Sequence, residues 1–278
     1  MAVRVVCDTA SDIPAKLGDE LGIVLVPLHV RFGGTEFVDR EQLSTEQFWA
    51  RVASSQQLPE TAAPSPGAYS SAFASLAGTG ATGIVCVTLS SKMSASFEAA
   101  TQGARGCGGT PVRIVDSLSA TMGEGLVALA AAEAAKAGAD LGGVVNAAES
   151  AKSRLSVYGA IDTLENLRKG GRIGGAAALL GTMLSIKPVI EVRDGAVEQE
   201  SRQRTRAKSL RYLSDKLHAA GPVERLAVMG ADAPDLAEFV ELVSDVATDH
   251  PRVVTDIGPV VGTHAGPGAI GLAWLRKL

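Results

Sequence analysis

Cysteine, clustered positive charge and long apolar runs are all scarce in this sequence, and each shortage removes a class of protein. Only three cysteines occur, Cys7, Cys86 and Cys107. An odd number at wide spacing argues against a disulfide framework, and no Cys or His pair stands at the spacing of metal ligands. Cys7 and Cys86 lie in valine-rich segments, which predicts buried free thiols in a reducing compartment. The formal net charge is -4 and no Lys/Arg block stands out. A nucleic-acid surface needs clustered cations to displace counterions, so none is indicated. No apolar stretch reaches the roughly 18 residues that a membrane span needs. Residues 125–135 come nearest, but they are rich in alanine and include Glu133, and they read as a buried helix. Residues 3–7 are already strand-like, with no basic segment leading an apolar one. The expectation is a cytoplasmic protein without a signal peptide or stable membrane insertion.

What the sequence does have is enough chain, 278 residues, for two modest domains, and an ordinary globular balance of 46% hydrophobic and 20% charged residues. The first half alternates short apolar runs with helix-like stretches. Residues 3–7, 84–88 and 112–116 read as buried strands and residues 23–26 as a further strand. Helices are predicted after residues 12–14, near 48–54 behind a capping box at Ser44 to Gln47, near 94–104 and near 123–137. Asp12 is read as the cap of the first of these. Phe32-Gly33-Gly34-Thr35 reads as a hairpin turn. This rhythm predicts a parallel Rossmann-like sheet, with ligands beyond the carboxyl ends of its strands. After about residue 160 the pattern changes. Residues 186–192 and 196–200 flank Asp194-Gly195 as a hairpin, helices are expected at 207–219 and 236–248, and strands at 226–229, 253–257, 260–263 and 269–275. The fold class is therefore α/β in two domains, the second with a mixed, largely antiparallel sheet, divided as 1–155 and 156–278.

Four motifs carry chemistry. Thr61 to Gly67 is a loop stiffened by Pro64 and Pro66; it is either a plain loop-to-helix junction or a device that aims the Thr61 hydroxyl at an anion. Residues 89–96, Leu-Ser-Ser-Lys-Met-Ser-Ala-Ser, follow a strand and open a helix. Capping needs one serine and four are present, which favours an oxyanion cradle. Residues 164–174 end a short helix on glycines and carry Arg168, Lys169 and Arg172. They lack the Lys-Ser/Thr ending of a phosphate-binding loop and the spacing of a dinucleotide loop. Their cations either cap the helix or dock a partner. Gly262 to Gly268 holds His264 among small residues, between what read as strands, where a ligand or backbone can approach closely.

Taken in order, Asp8-Thr9-Ala10-Ser11-Asp12, Thr61 to Gly67, Leu89 to Ser94, Val115-Asp116-Ser117, Leu167 to Ile173, Ile186-Lys187-Pro188, Arg204-Thr205-Arg206 and Gly262 to Gly268 resemble the DegV family, the fatty-acid-binding partners of bacterial fatty acid kinase. The resemblance covers essentially the whole chain. It implies a long-chain fatty acid as ligand in a tunnel between the domains, with no cofactor and no metal. It implies a carboxylate held by Thr61, Ser94 and His264 with the amide of Ala95, and Arg204 supporting that polar end. It further implies Lys169 and Arg172 as docking residues for the kinase catalytic subunit, so that the chain is a lipid-binding subunit and not itself an enzyme. Met93-Ser94-Ala95-Ser96-Phe97 stands where the family usually has Leu-Ser-Gly-Thr-Tyr, and Thr61-Ala62-Ala63 where Thr-Ser-Gln is common. Two other readings remain at this stage: a metal-dependent phosphohydrolase using Asp8, and a lipid-sensing regulator without phosphotransfer.

Overall fold

The computed structural model describes residues 2–55, 57–178 and 186–278. Strands β1 (Val3–Asp8), β2 (Val24–Val26), β6 (Gly83–Thr88) and β7 (Val112–Asp116) form a parallel sheet in the order β2-β1-β6-β7. Alternation along β1 and β6 divides their side chains between two cores. Val6, Ile84 and Cys86 face α3 (Pro66–Gly78) and α4 (Ser96–Ala104), where Tyr69 and Phe73 are fully buried. Val5, Cys7, Val85 and Val87 face α5 (Met122–Lys136) on the other side. Both central strands are thus apolar on both faces, as expected.

A small antiparallel sheet, β4 (Thr35–Val38), β3 (His29–Phe32) and β5 (Glu60–Ala62), stands beside this layer. The Gly33-Gly34 turn joins β3 to β4, and α2 (Thr45–Ser54) begins with the predicted capping box of Ser44 and Gln47. The second large sheet has six strands in the order β10 (Ala196–Gln203), β9 (Lys187–Arg193), β8 (Leu155–Ala160), β13 (Ile270–Arg276), β11 (Val223–Gly230) and β12 (Val253–Asp256). All its pairs are antiparallel except β11 with β12. Helices α8 (Arg206–His218) and α9 (Leu236–Leu242) cover one face through Leu213, Leu217 and Phe239. The opposite face, with Val157, Ile190, Met229 and Ala273, joins the same core as α5 and β1. One apolar core therefore runs across the seam between the two sheets.

Several expectations are corrected. Residues 260–263 are not a strand: they lie in α10 (Pro259–Ala265). Two consecutive valines imitated a strand, whereas Gly258 and Pro259 supply the helix start. Asp12 does not cap α1 (Ala15–Leu21); it sits at φ 52 and closes a 3-10 turn over Thr9–Ser11. Helix α9 stops at Leu242 instead of reaching residue 248. Helix α6 (Leu141–Arg154) was not foreseen, its first turn being obscured by Gly142 and Gly143. Thr61 lies on β5 and not in a loop. α7 (Glu165–Lys169) is the short helix expected there. Among the described residues, no helix is long and apolar enough to cross a membrane.

Candidate functional site

The seam between the sheets encloses a cavity of about 200 Å³. Its walls are apolar and come from both sides: Leu28, Leu89 and Ala120 from the first lobe, Val157, Ile190, Met229 and Ile270 from the second. Thr61, Ser94, Arg172 and His264 add polar groups to the lining. The lining thus has the general character of a small-molecule site, mostly apolar with a few placed polar groups.

Each polar group is held by its element. Thr61 pairs with Val30 across β3 and β5, which turns its hydroxyl toward α10. His264 stands in the last turn of α10, and its Nε2 lies 2.9 Å from Thr61 Oγ1; the imidazole tautomer decides which of the two donates. Burial, and to a smaller extent the nearby Arg172 guanidinium, push the His264 pKa down to about 4, so the ring is neutral near pH 7. Its Nδ1 is buried without a partner among the described residues. Gly170 presses on that edge: a Cβ there would come within 2.2 Å of Nδ1, so only glycine fits beside the ring. On the other side, Gly262 seats α10 on α2, since a Cβ would meet Trp49 at 2.8 Å.

The four serines of residues 90–96 divide the labour. Ser94 lines the cavity, its hydroxyl 3.0 Å from that of Ser96 and accepting from the Ser96 amide at 3.2 Å. Ser90 donates to Gly195 O at 2.7 Å and so fixes the tip of the β9–β10 hairpin. Ser91 is exposed, with its amide on Asp116. Ala95 occupies the N-cap position of α4, next to Ser94. Arg172 donates from Nε to Met93 O at 3.0 Å and from Nη1 to Gly170 O at 2.7 Å, tying the glycine turn to the serine loop.

The structure thus brings Thr61, Ser94, Ala95, His264 and Arg172 to one cavity. Arg204 is exposed and is not part of its lining. The built-in member of Arg204-Thr205-Arg206 is Arg206, which makes two 2.8 Å bonds to Asp235, while Thr205 caps α8. Lys169 is exposed, pairs with Glu165 at 3.1 Å, and borders a second, outer hollow that shares Thr61, Arg172 and His264 with the cavity. Thr121, at φ 48, lines the cavity and was not anticipated. Its strained backbone leaves no mark in a single sequence. Asp8 is fully buried; one oxygen accepts from Ala10 N and the other from Leu89 N and Tyr69 OH. No group of three or more His, Cys, Asp and Glu side chains among the described residues is arranged to hold a metal ion.

Fold and site together define a two-lobed α/β protein with an apolar cavity at the seam. Residues 2–277 match a family model described as uncharacterised protein, DegV family. A DegV domain-containing protein of Mycobacterium tuberculosis is 38% identical over 280 residues, which cover 98% of this chain and 96% of that one. One of Streptomyces coelicolor is 35% identical over 277 residues, 97% of each chain. The chain belongs to the DegV family. Among solved structures, a DegV family protein of Thermus thermophilus described as fatty acid binding has a TM-score of 0.91 at 29% identity, with both chains fully covered. DegV of Bacillus subtilis, described as a fatty acid binding protein, has a TM-score of 0.90 at 27% identity and the same coverage. A family member from Ruminococcus gnavus, described with vaccenic acid, has a TM-score of 0.86 at 25% identity, covering 98% of this chain and 99% of its own.

Proposed function

We propose that this chain binds a long-chain fatty acid, with the hydrocarbon in the seam cavity between lobes 1–155 and 156–278. The carboxylate then rests on Thr61, Ser94, His264 and the amide of Ala95. The observation that carries this reading is a single cavity with apolar walls from both sheets, into which Thr61, His264 and Ser94 also face. Each buried methylene contributes roughly 0.8 kcal/mol, so about sixteen carbons offer on the order of 10 kcal/mol before ordering costs. The tail supplies the grip, and the head site has only to satisfy an acid that would be costly to bury unpaired.

Neutral hydroxyls and a neutral imidazole suit a carboxylate that must stay nucleophilic. We extend the proposal to presentation of the carboxylate to a separate ATP-dependent fatty acid kinase that forms the acyl phosphate. Lys169 and Arg172, beside the outer hollow, are the docking residues in this reading; Lys169→Ala tests docking without altering the cavity wall. The phosphohydrolase reading is less favoured, because the Asp8 carboxylate is already engaged and closed in.

Titration with palmitic acid tests the core of the proposal. Thr61→Ala and Ser94→Ala are expected to weaken binding by about tenfold each, the loss of one charge-assisted hydrogen bond, at unchanged Tm. Wild-type affinity in both variants would reject the site. Reconstitution with a cognate kinase and ATP tests the extension: acyl phosphate that forms only with this chain present supports it, and its absence rejects it.

A further inference from the structure

The sequence motif Asp8-Thr9-Ala10-Ser11-Asp12 contributes no residue to the cavity lining, yet three of its side chains reach the three segments that carry the polar head site. Asp8 accepts from the Leu89 amide at 3.0 Å, at the point where β6 gives way to the serine loop that ends in Ser94. Thr9 Oγ1 accepts from the Leu28 amide at 3.1 Å, one residue before β3, the strand that pairs Val30 with Thr61. Asp12 Oδ1 accepts from the Gly258 amide at 2.9 Å, at the N-cap of α10, the helix whose last turn holds His264. All three acceptors are buried to 3% exposure or less. These bonds join segments 19, 81 and 246 residues apart.

We infer that residues 8–12 are the positioning centre of the head site, each of Asp8, Thr9 and Asp12 fixing the element that bears one of Ser94, Thr61 and His264. The inference rests on the fatty-acid reading of that site. Buried acceptors aimed at three separate backbone amides set distances among those elements more rigidly than apolar packing does, because a hydrogen bond weakens steeply with misalignment. Arg40 braces the centre: it donates to Ile13 O at 2.7 Å and to Thr9 O at 3.2 Å, and lies 3.6 Å from Asp12. Asp12 itself adopts φ 52, a left-handed conformation that Asp tolerates better than most residues. The contact is equally close from the helix side, since a Cβ on Gly258 would come within 2.7 Å of Asp12 Oδ1.

A fault in positioning differs from a general loss of fold, because it affects the carboxylate and spares the tail. The test is the ratio of affinities for palmitic acid and hexadecanol, which share the tail and differ in the head. In Asp12→Ala the preference for the acid is expected to fall by about tenfold, with hexadecanol binding within about twofold of wild type. Gly258→Ala breaks the same contact from the other side and is expected to do the same, should Asp12→Ala fold poorly. Asp12→Asn keeps the acceptor for the Gly258 amide and is expected to keep most of the preference. An undiminished preference in Asp12→Ala and Gly258→Ala, alongside a preference lost in Thr61→Ala, would overturn the positioning role and leave the head site standing. A wild-type protein with no acid preference at all would overturn both.

Discussion

At the scale of single residues, the chain buries an unusual set of carboxyls. Burial pushes the Asp8 pKa from its ordinary 3.8 up to about 6 and that of Asp12 up to about 7, and raises that of Glu124 far above its ordinary value. In each case desolvation is the largest cause, and hydrogen bonds or Arg40 oppose it only in part for the two aspartates. Between about pH 4 and 7 the folded state thus holds more protons than the unfolded chain, and stability falls as pH rises through that window. His264 works the other way. Its pKa is depressed to about 4, so the stability it contributes is present above about pH 6.5 and lost as pH falls toward 4. Asp39, also raised by burial, acts in the same direction, and these four carboxyls outweigh one imidazole. The expected outcome is a Tm roughly 2–5 °C higher at pH 5.5 than at pH 8, with Glu124→Gln flattening the dependence. Calorimetry at the two pH values checks this, and a Tm that rises with pH contradicts it. These groups were legible as residues and not as a cluster: Asp8 and Glu124 are 116 positions apart in sequence, and only the fold makes them neighbours. Likewise the motif resemblance points to Thr61, Ser94 and His264, whereas the place of Thr121 and the packing of Gly170 on His264 are set by tertiary contacts.

At the scale of elements, strong local patterns were readable and weak ones were not. The parallel strands with unbroken apolar runs, the capping box at Ser44 and the Asp194-Gly195 turn all carry signals within a few residues, and all are present. Helix α10 was misread because Val260 and Val261 favour strands and outweigh the start signal of Gly258 and Pro259, while the contacts that seat it, on Trp49 and with Asp12, are tertiary. Strand β5 has three residues and exists because β3 lies beside it. The β9–β10 hairpin was foreseen, but not that its tip is held by Ser90. That bond bears on ligand exchange, because the hairpin supplies Ile190, Val192 and Val197 to the cavity wall. Ser90→Ala leaves the Gly195 carbonyl without its donor, at a cost of about 1–2 kcal/mol. Fatty acid is expected to dissociate several-fold faster from this variant in stopped-flow displacement; an unchanged rate would show that the tip does not restrain the wall.

At the scale of the whole molecule, the chain is two α/β lobes that share one apolar core, with a cavity left open where the lobes meet. The change from parallel to mixed sheet was visible in the sequence as a change of rhythm after residue 160. That the second sheet lays one face on α5 of the first lobe was not, because the pairing of faces is set by packing across the seam. This arrangement explains why apolar residues from distant parts of the chain, Leu28, Val157 and Met229 among them, line one space. In the proposed reading, it also lets a head group meet side chains from β5, the serine loop and α10, which come from distant parts of the sequence. The central claim is that this space is filled by one fatty acid. Native mass spectrometry of the purified chain measures it directly: the account predicts a mass increment of one fatty acid per chain, retained by wild type and depleted in Thr61→Ala. A chain that carries no lipid and takes up none when palmitic acid is added would contradict it.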